Sequence, residues 1–212
     1  MEHQKTIFDL LATSFLFRGL SPTRLQEITQ KTKLHTYRTG QILIEEEMAN
    51  DKVFLIFEGL VKIYKLTPDG KEVFLAIEKP GDYLGLMDLT DKPASATIET
   101  LMPTKVLVIH KKDMRILLEE NSMLWKHMYR IILAKVEEYR HLQTITLSYD
   151  LQERTYRFLK FLAGFFQNKT IPLSHEHIAA IVGATRPRVT ETLHALRNDK
   201  KITISPKRIT LL

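Results

Sequence analysis

Cysteine is absent from the 212 residues of this sequence. Its absence excludes disulfide bonds, thiolate zinc sites and cysteine-ligated iron–sulfur clusters. No apolar run approaches the roughly 18 residues that a membrane span needs, and the first residues, MEHQKTIFDLL, lack the basic and apolar segments of a secretory signal. A glycine-rich phosphate loop and a nucleophile elbow are also missing. We therefore expect a cytoplasmic protein that is not an enzyme and that needs no membrane, metal or cofactor.

The charged residues are distributed unevenly along the chain. Residues 149–212 hold eleven Lys or Arg and five Asp or Glu, so their net charge of +6 equals that of the whole protein. A positive charge concentrated in one segment is typical of nucleic-acid-binding proteins, because neutralising phosphates releases counterions. The length and the 44% apolar content suffice for two modest domains with packed cores.

The spacing of apolar residues predicts an α+β protein. Two short helices are expected between residues 5 and 32. Between about Leu34 and His110 the apolar period is two and turn residues recur, which predicts six or more strands in an antiparallel roll or sandwich. From Ser122 to about Ser148 the helical period predicts one long helix without Gly or Pro. A further helix over residues 150–166 follows a predicted hinge.

The stretch from Ser174 to Arg197 predicts two short helices joined by a tight turn. We expect Ser174 to cap the first helix and Gly183 to end it, because glycine tolerates the left-handed backbone common after a helix. Thr185 is the expected cap of the second helix. Apolar residues at helical spacing predict the buried faces: Ile178, Ala179, Ile181, Val182, Val189, Leu193 and Leu196. This is the arrangement of a helix-turn-helix, whose second helix enters the major groove of DNA.

The polar residues around this pair of helices are the candidate DNA contacts. Arginine can donate two hydrogen bonds to guanine, and a carboxylate can accept one from cytosine. Two strands around a Pro206-Lys207-Arg208 turn close the chain and are interpreted as a wing that touches phosphates. The predicted DNA-binding residues are Ser174, His175, Thr185, Arg186, Pro187, Arg188, Thr190, Glu191, Lys207 and Arg208.

These residues resemble the winged helix-turn-helix of the Crp/Fnr (cyclic-AMP receptor / fumarate–nitrate regulator) family of bacterial transcription factors. The resemblance rests on Ile178-Ala179, Gly183, Thr185-Arg186, Val189 and Ile202. Glycines between the predicted strands also fall where the family's β-roll has its turns: Gly40, Gly59, Gly70, Gly81 and Gly85. The resemblance therefore extends over nearly the whole chain.

The resemblance implies three segments and a function. Residues 1–120 are expected to form N-terminal helices and a cyclic-nucleotide-binding-like antiparallel β-roll that senses an effector, residues 121–148 a long dimerisation helix, and residues 149–212 a winged helix-turn-helix. The implied protein is a homodimer that binds palindromic double-stranded DNA and acts with RNA polymerase. Arg186 matches the family's guanine-reading Arg, whereas Pro187 and Glu191 depart from the family pattern. The operator half-site is therefore expected to differ from that of the cyclic-AMP receptor.

The resemblance also indicates an effector pocket without the charges that hold cyclic AMP. Gly85-Leu86 stands where cyclic-AMP-binding members have Gly-Glu, and Ala94-Ser95-Ala96 stands where they have an Arg-Ser-Ala run. The ribose acceptor and the cation for the phosphate are thus both missing. The candidate pocket residues are Gly85, Leu86, Ser95, Ala96, Tyr139 and Arg140. Two alternatives follow: a less polar effector binds, or the pocket is closed and none is needed.

The long helix carries a stripe that predicts the seam of a two-stranded coiled coil. The stripe consists of Met128, Ile132, Lys135, Tyr139 and Leu142, at alternating spacings of four and three. The other interpretation is a helix packed on its own β-roll. At the level of function, the competing hypothesis is a ligand-sensing or scaffold protein whose helix-turn-helix does not bind DNA specifically. That hypothesis leaves the positive charge of residues 149–212 without a role.

Overall fold

The computed structural model describes residues 2–86, 89–90, 92–206 and 208–212. The described residues form seven α-helices, α1 to α7 in chain order: Glu2–Thr13, Pro22–Lys31, Lys111–Glu120, Ser122–Ser148, Leu151–Ala163, His175–Val182 and Arg186–Asn198. They also form eleven strands, β1 to β11: Lys33–Tyr37, Ile42–Ile44, Lys52–Glu58, Val61–Leu66, Glu72–Glu78, Tyr83–Leu84, Thr97–Thr100, Thr104–His110, Thr170–Ile171, Ile202–Ser205 and Arg208–Leu211. The predicted α+β class is confirmed.

The chain divides into two compact units. One contains Met1–Lys62 and Ile77–Glu137, and the other contains Ile63–Ala76 and Glu138–Leu212. The division falls within the long helix α4, whose predicted extent is confirmed. No helix in the part of the chain that the structure describes is long and apolar enough to cross a membrane.

The first unit is built around antiparallel strands. One sheet has the order β1-β8-β3-β6, with Phe54 of β3 opposite Val108 of β8 and Leu34 of β1 opposite Leu107. In a second sheet, β2 pairs with β7; β4 pairs with β5, and most of these two strands, Ile63–Ala76, belongs to the second unit. Six of these eight strands match the predicted runs, and β1 and β6 add to them. The predicted antiparallel roll is thus confirmed.

Helices cover the first sheet and complete the core of this unit. Ser21 caps α2 by accepting a hydrogen bond from the Arg24 amide, with Pro22 at the first helical position. The core joins α1, α2, α3 and the first half of α4 to the sheet, and its members include Leu11, Ile28, Leu55, Leu107, Leu117 and Leu124. These apolar contacts fix the first half of α4 on the β-roll.

The predicted coiled-coil seam of α4 is wrong, because three of its five residues are buried within the chain itself and the other two are half-buried. Met128 and Leu142 are buried, and Lys135 is only 7% exposed. Met128 belongs to the core of the first unit, and Ile132 packs against it. Exposed apolar side chains instead form a neighbouring stripe on α4: Trp125, Tyr129, Leu133 and Val136. The face of this helix that is available to a partner is therefore rotated from the predicted one.

The second unit carries the helix-turn-helix on a small helical core. Helix α5 begins after Asp150, which caps it by accepting from the Glu153 amide. Phe158 of α5 is fully buried, and its ring meets Phe74 of β5 edge-on at 5.7 Å between centroids. Helices α6 and α7 and a three-stranded sheet of order β10-β11-β9 complete the unit.

Candidate DNA-binding site

Helices α6 and α7 form the predicted helix-turn-helix. Ser174 caps α6 by accepting a hydrogen bond from the His177 amide at 3.2 Å. Gly183 ends α6 in the left-handed conformation, with φ of 66° and ψ of 46°, which glycine adopts without a steric penalty. All seven predicted apolar positions are buried: Ile178, Ala179, Ile181, Val182, Val189, Leu193 and Leu196. These residues pack the two helices together and fix the exposed side of α7.

Most of the predicted contact residues lie on the exposed side of these helices. Thr185 occupies the N-cap position of α7 with an extended backbone, although its hydroxyl makes no capping hydrogen bond within the described residues. Half-buried are Ser174, His175 and Thr190. Exposed are Thr185, Arg186, Pro187, Arg188 and Glu191. The first two turns of α7 therefore present two arginines and a carboxylate to solvent.

Arg186 has a weak partner of opposite charge in the free protein. Its Nε lies 3.9 Å from Oε2 of Glu176 on α6, and both side chains are 69% exposed. An exposed ion pair of this kind contributes about 0–1 kcal/mol. The guanidinium can therefore leave Glu176 for a stronger acceptor at little cost.

His175 and Thr190 connect the two helices by a hydrogen bond. His175 Nδ1 lies 3.0 Å from Thr190 Oγ1. Burial lowers the pKa of His175, and the nearby charges of His194 and Arg186 lower it further. The ring is therefore neutral at pH 7. Both residues are predicted DNA contacts, but the sequence does not indicate that they bind each other.

The predicted two-stranded wing is part of a three-stranded sheet. Strands β10 and β11 pair as expected, with Ile202 opposite Leu211. The connector that precedes α6 adds β9, with Ile171 opposite Ile209 and the hydroxyls of Thr170 and Thr210 3.0 Å apart. The prediction missed β9 because a strand of two residues leaves no period in the sequence. Arg208 is exposed, whereas Lys207 lies outside the described residues.

The candidate effector residues of the first unit are partly closed off by packing. Gly85 has φ of +74°, and a Cβ there would lie 2.7 Å from the Lys52 carbonyl oxygen. Leu86 is 2% exposed and belongs to the core cluster. Ser95 is exposed and Ala96 is half-buried. In the second unit, Tyr139 is half-buried and Arg140 is exposed. Leu86 therefore contributes to the core and offers no hydrogen-bond acceptor.

The first unit also contains a buried ion cluster that was not predicted. Lys135 Nζ of α4 lies 2.5 Å from Oε2 of Glu78 and 2.7 Å from Oδ2 of Asp82. Glu78 is 2% exposed. Lys79 Nζ adds a second cation 3.3 Å from Asp82. The one signal in the sequence was a lysine on an otherwise apolar stripe.

The two carboxyl groups of this cluster titrate differently. Burial raises the pKa of Glu78 to about 8. Burial also opposes ionisation of Asp82, but the hydrogen bond with Glu78 and the Lys135 ammonium hold the pKa of Asp82 below its usual value. Although burial lowers the pKa of Lys135, the two carboxyl groups raise it above its ordinary value. At neutral pH the ammonium thus faces one carboxylate and one carboxylic acid.

Two family models match the chain, one in each functional part. Residues 34–121 match a cyclic nucleotide-binding domain, and residues 153–212 match a Crp-like helix-turn-helix domain. The transcriptional regulator LdrP of Thermus thermophilus is 30% identical over 173 residues, which cover 76% of this chain and 82% of that protein. The chain belongs to the Crp/Fnr family.

Two further proteins resemble the chain over most of its length at lower identity. The CRP-like cAMP-activated global transcriptional regulator of Mycobacterium tuberculosis is 23% identical over 193 residues, covering 87% of this chain and 86% of that protein. The structure of FixK2 from Bradyrhizobium japonicum has a TM-score of 0.77 at 18% identity, covering 85% of this chain and 92% of that one. The FixK2 comparison shows a shared fold.

This Crp/Fnr chain is a DNA-binding transcription regulator with a cyclic-nucleotide-binding-type domain, and its family consists of regulators rather than enzymes. Among the described residues, no group of three or more His, Asp or Glu side chains could hold a metal ion.

Proposed function

We propose that the protein is a homodimer that binds a palindromic operator, with the N-terminal end of α7, from Thr185 onward, in the major groove. The observation that carries the proposal is the exposure of Arg186, Arg188 and Glu191 on the first two turns of α7. Arginine and carboxylate side chains at that place can read guanine and cytosine. The net charge of +6 in residues 149–212 supplies the attraction for phosphates.

The exposed stripe of α4 supports a dimer. Trp125, Tyr129, Leu133 and Val136 leave large apolar surfaces in solvent on one side of a helix. A contiguous apolar surface of this kind marks a protein interface. A second copy would present the same stripe, and a two-fold axis between two copies would match a palindrome whose half-sites are about one helical turn of DNA apart.

The packing of the β-roll favours DNA binding that requires no effector. Leu86 packs in the core where cyclic-AMP-binding members carry a carboxylate, and Lys135 already joins α4 to Glu78 and Asp82 through internal ion pairs. The connection between helix and roll is therefore made by the chain itself. We propose that cyclic AMP does not bind and that the dimer recognises its operator without a small molecule.

The test is selection of duplexes from a random pool by the ligand-free, full-length protein at one physiological salt concentration. We expect enrichment of a palindrome. Arg186→Ala should cost about 1–3 kcal/mol and relax preference at one base pair of each half-site. Arg208→Ala, the matched control on the wing, should weaken all sequences alike.

Three outcomes would change the proposal. Equal losses on specific and random DNA for both variants would refute the role of Arg186. Enrichment only after a small molecule is added would replace the effector-free form by the effector-dependent one. Weak, sequence-blind binding under every condition would favour the ligand-sensing or scaffold hypothesis. RNA polymerase, the remaining predicted partner, would be tested by transcription from a promoter that contains the selected site.

A further inference from the structure

Thr190 is oriented by the other helix of the pair rather than by its own helix. Its hydroxyl lies 3.0 Å from His175 Nδ1. Thr192, two residues later on α7, instead donates to the Arg188 carbonyl oxygen at 2.8 Å. The bond to the preceding turn is the common choice of a threonine within a helix. His175 therefore determines where the Thr190 hydroxyl points.

Thr190 also lies in the row of α7 residues that begins at the predicted base contact. Arg186, Thr190 and His194 are spaced by four residues and so share one side of the helix. His175 is the first residue of α6, beside Glu176, whose carboxylate is the weak partner of Arg186. Thr190 is thus placed between two helices at the end of the motif that is proposed to face DNA.

The direction of the His175–Thr190 hydrogen bond decides what Thr190 offers to a base. When Nδ1 accepts, the hydroxyl hydrogen is used and the oxygen can accept from the amino group of adenine or cytosine. When Nδ1 carries a proton, it donates to the hydroxyl oxygen. The hydroxyl hydrogen is then available for O6 of guanine or O4 of thymine, and for N7 of either purine.

The neutral ring with an accepting Nδ1 is the state that fits the free protein. Within the described residues, His175 is the partner of the Thr190 hydroxyl. The hydroxyl hydrogen therefore has an acceptor when Nδ1 carries no proton. The charged groups that face His175 are His194 and Arg186 on α7, and both disfavour a proton on its ring, as does burial. Protonation at acidic pH would reverse the hydrogen bond.

We propose that His175 is a positioning residue for operator specificity. Through the Thr190 hydroxyl, it sets whether α7 selects a hydrogen-bond donor or a hydrogen-bond acceptor on one base of each half-site. This inference rests on the proposed function, because it requires α7 in the major groove. A merely structural His175 would change affinity for all sequences alike. A positioning His175 changes the preference at one base pair, and that preference follows the protonation state of the ring.

The experiment compares operator preferences of the full-length protein at about pH 8 and at a pH below the lowered pKa of His175, which is first located by NMR titration of its ring. We expect one half-site position to favour adenine or cytosine at the higher pH and to shift toward guanine or thymine at the lower pH. The size expected for one hydrogen bond is about 3- to 10-fold in relative affinity. Thr190→Val should remove the preference at both pH values. His175→Gln should leave a preference that no longer depends on pH.

His194→Gln is the matched control, because it removes another imidazole from the same row but leaves the His175–Thr190 bond in place; the preference should still depend on pH, with its midpoint moved to higher pH because the His194 charge lowers the pKa of His175. Circular dichroism melts at both pH values check that each variant folds. A palindrome whose preferences are identical at both pH values in the wild type would overturn the inference and leave the proposed function standing. A pH shift that survives His175→Gln would also overturn it. Failure to select any palindrome would overturn the proposed function itself, and the inference with it.

Discussion

Replacing Lys135 by Met tests whether the ion cluster holds the first unit together. The change keeps most of the side-chain volume but removes the only described cation within 2.7 Å of Glu78 and Asp82. The Asp82 carboxylate would then remain in a site where its side chain is 12% exposed, with the Lys79 ammonium at 3.3 Å and the Lys79 amide donating to it at 2.9 Å. Removing one partner of a buried ion pair costs about 3–5 kcal/mol when the other charge stays uncompensated. We expect a loss at the lower end of that range in the free energy of unfolding, because Lys79 still compensates Asp82 in part.

Urea unfolding followed by Trp125 fluorescence measures this loss, because Trp125 lies in the same unit as the cluster. All variants are compared at one protein concentration, since the proposed dimerisation would make the midpoint depend on concentration. Lys105→Met is the control: its ion pair with Glu58 is similar in length, 3.0 Å, but the side chains are 43% and 55% exposed. It should cost about 0–1 kcal/mol.

A second variant separates charge from packing. Adding Asp82→Asn to Lys135→Met removes the orphaned carboxylate and should restore about 1–3 kcal/mol, the range of coupling between contacting residues. The stabilising role of Lys135 would be refuted if Lys135→Met cost no more stability than Lys105→Met, or if Asp82→Asn restored none of the lost stability.

Three further predictions follow from the same structure. Glu78→Gln should become more stable relative to the wild type as pH rises from about 4.5 to about 8. The pKa of Glu78 is raised in the folded state, so the wild type has extra stability at low pH and loses it as pH rises to that pKa, whereas glutamine does not titrate. A difference in the free energy of unfolding that stays constant with pH would contradict this. Leu133→Glu should give a monomer in sedimentation equilibrium, whereas Ile116→Glu, equally exposed but on α3, should remain dimeric. Gly85→Ala should destabilise by about 1–3 kcal/mol in urea, because it places a side chain at positive φ against the Lys52 carbonyl; an unchanged midpoint would contradict the strain.

Much of the DNA-binding end could be predicted because its signals are local. A serine cap, a glycine in the left-handed conformation and a buried stripe on each helix depend on residues within a few positions of each other, as Ser174 and Gly183 show. Six of the eight strands of the β-roll were predictable for the same reason. Strand β9 was not, because its two residues form a strand only by pairing with the distant β11.

The side of α4 that faces a partner could not be read from periodicity alone. A helix with apolar residues on two neighbouring stripes leaves open which stripe meets the β-roll, and that choice depends on the shape of the roll. Lys135 marked the stripe as unusual, but its partners Glu78 and Asp82 lie more than fifty positions earlier in the chain. The same holds for His175 and Thr190, whose contact requires the packed pair of helices.

The most direct test of the proposed function is the affinity of the ligand-free protein for its selected palindrome and for a shuffled sequence of the same composition, at one physiological salt concentration. We predict a ratio of at least about 1,000 in favour of the palindrome, unchanged by cyclic AMP and reduced about 5- to 150-fold by Arg186→Ala. A ratio near one without ligand that rises when cyclic AMP is added would contradict the account.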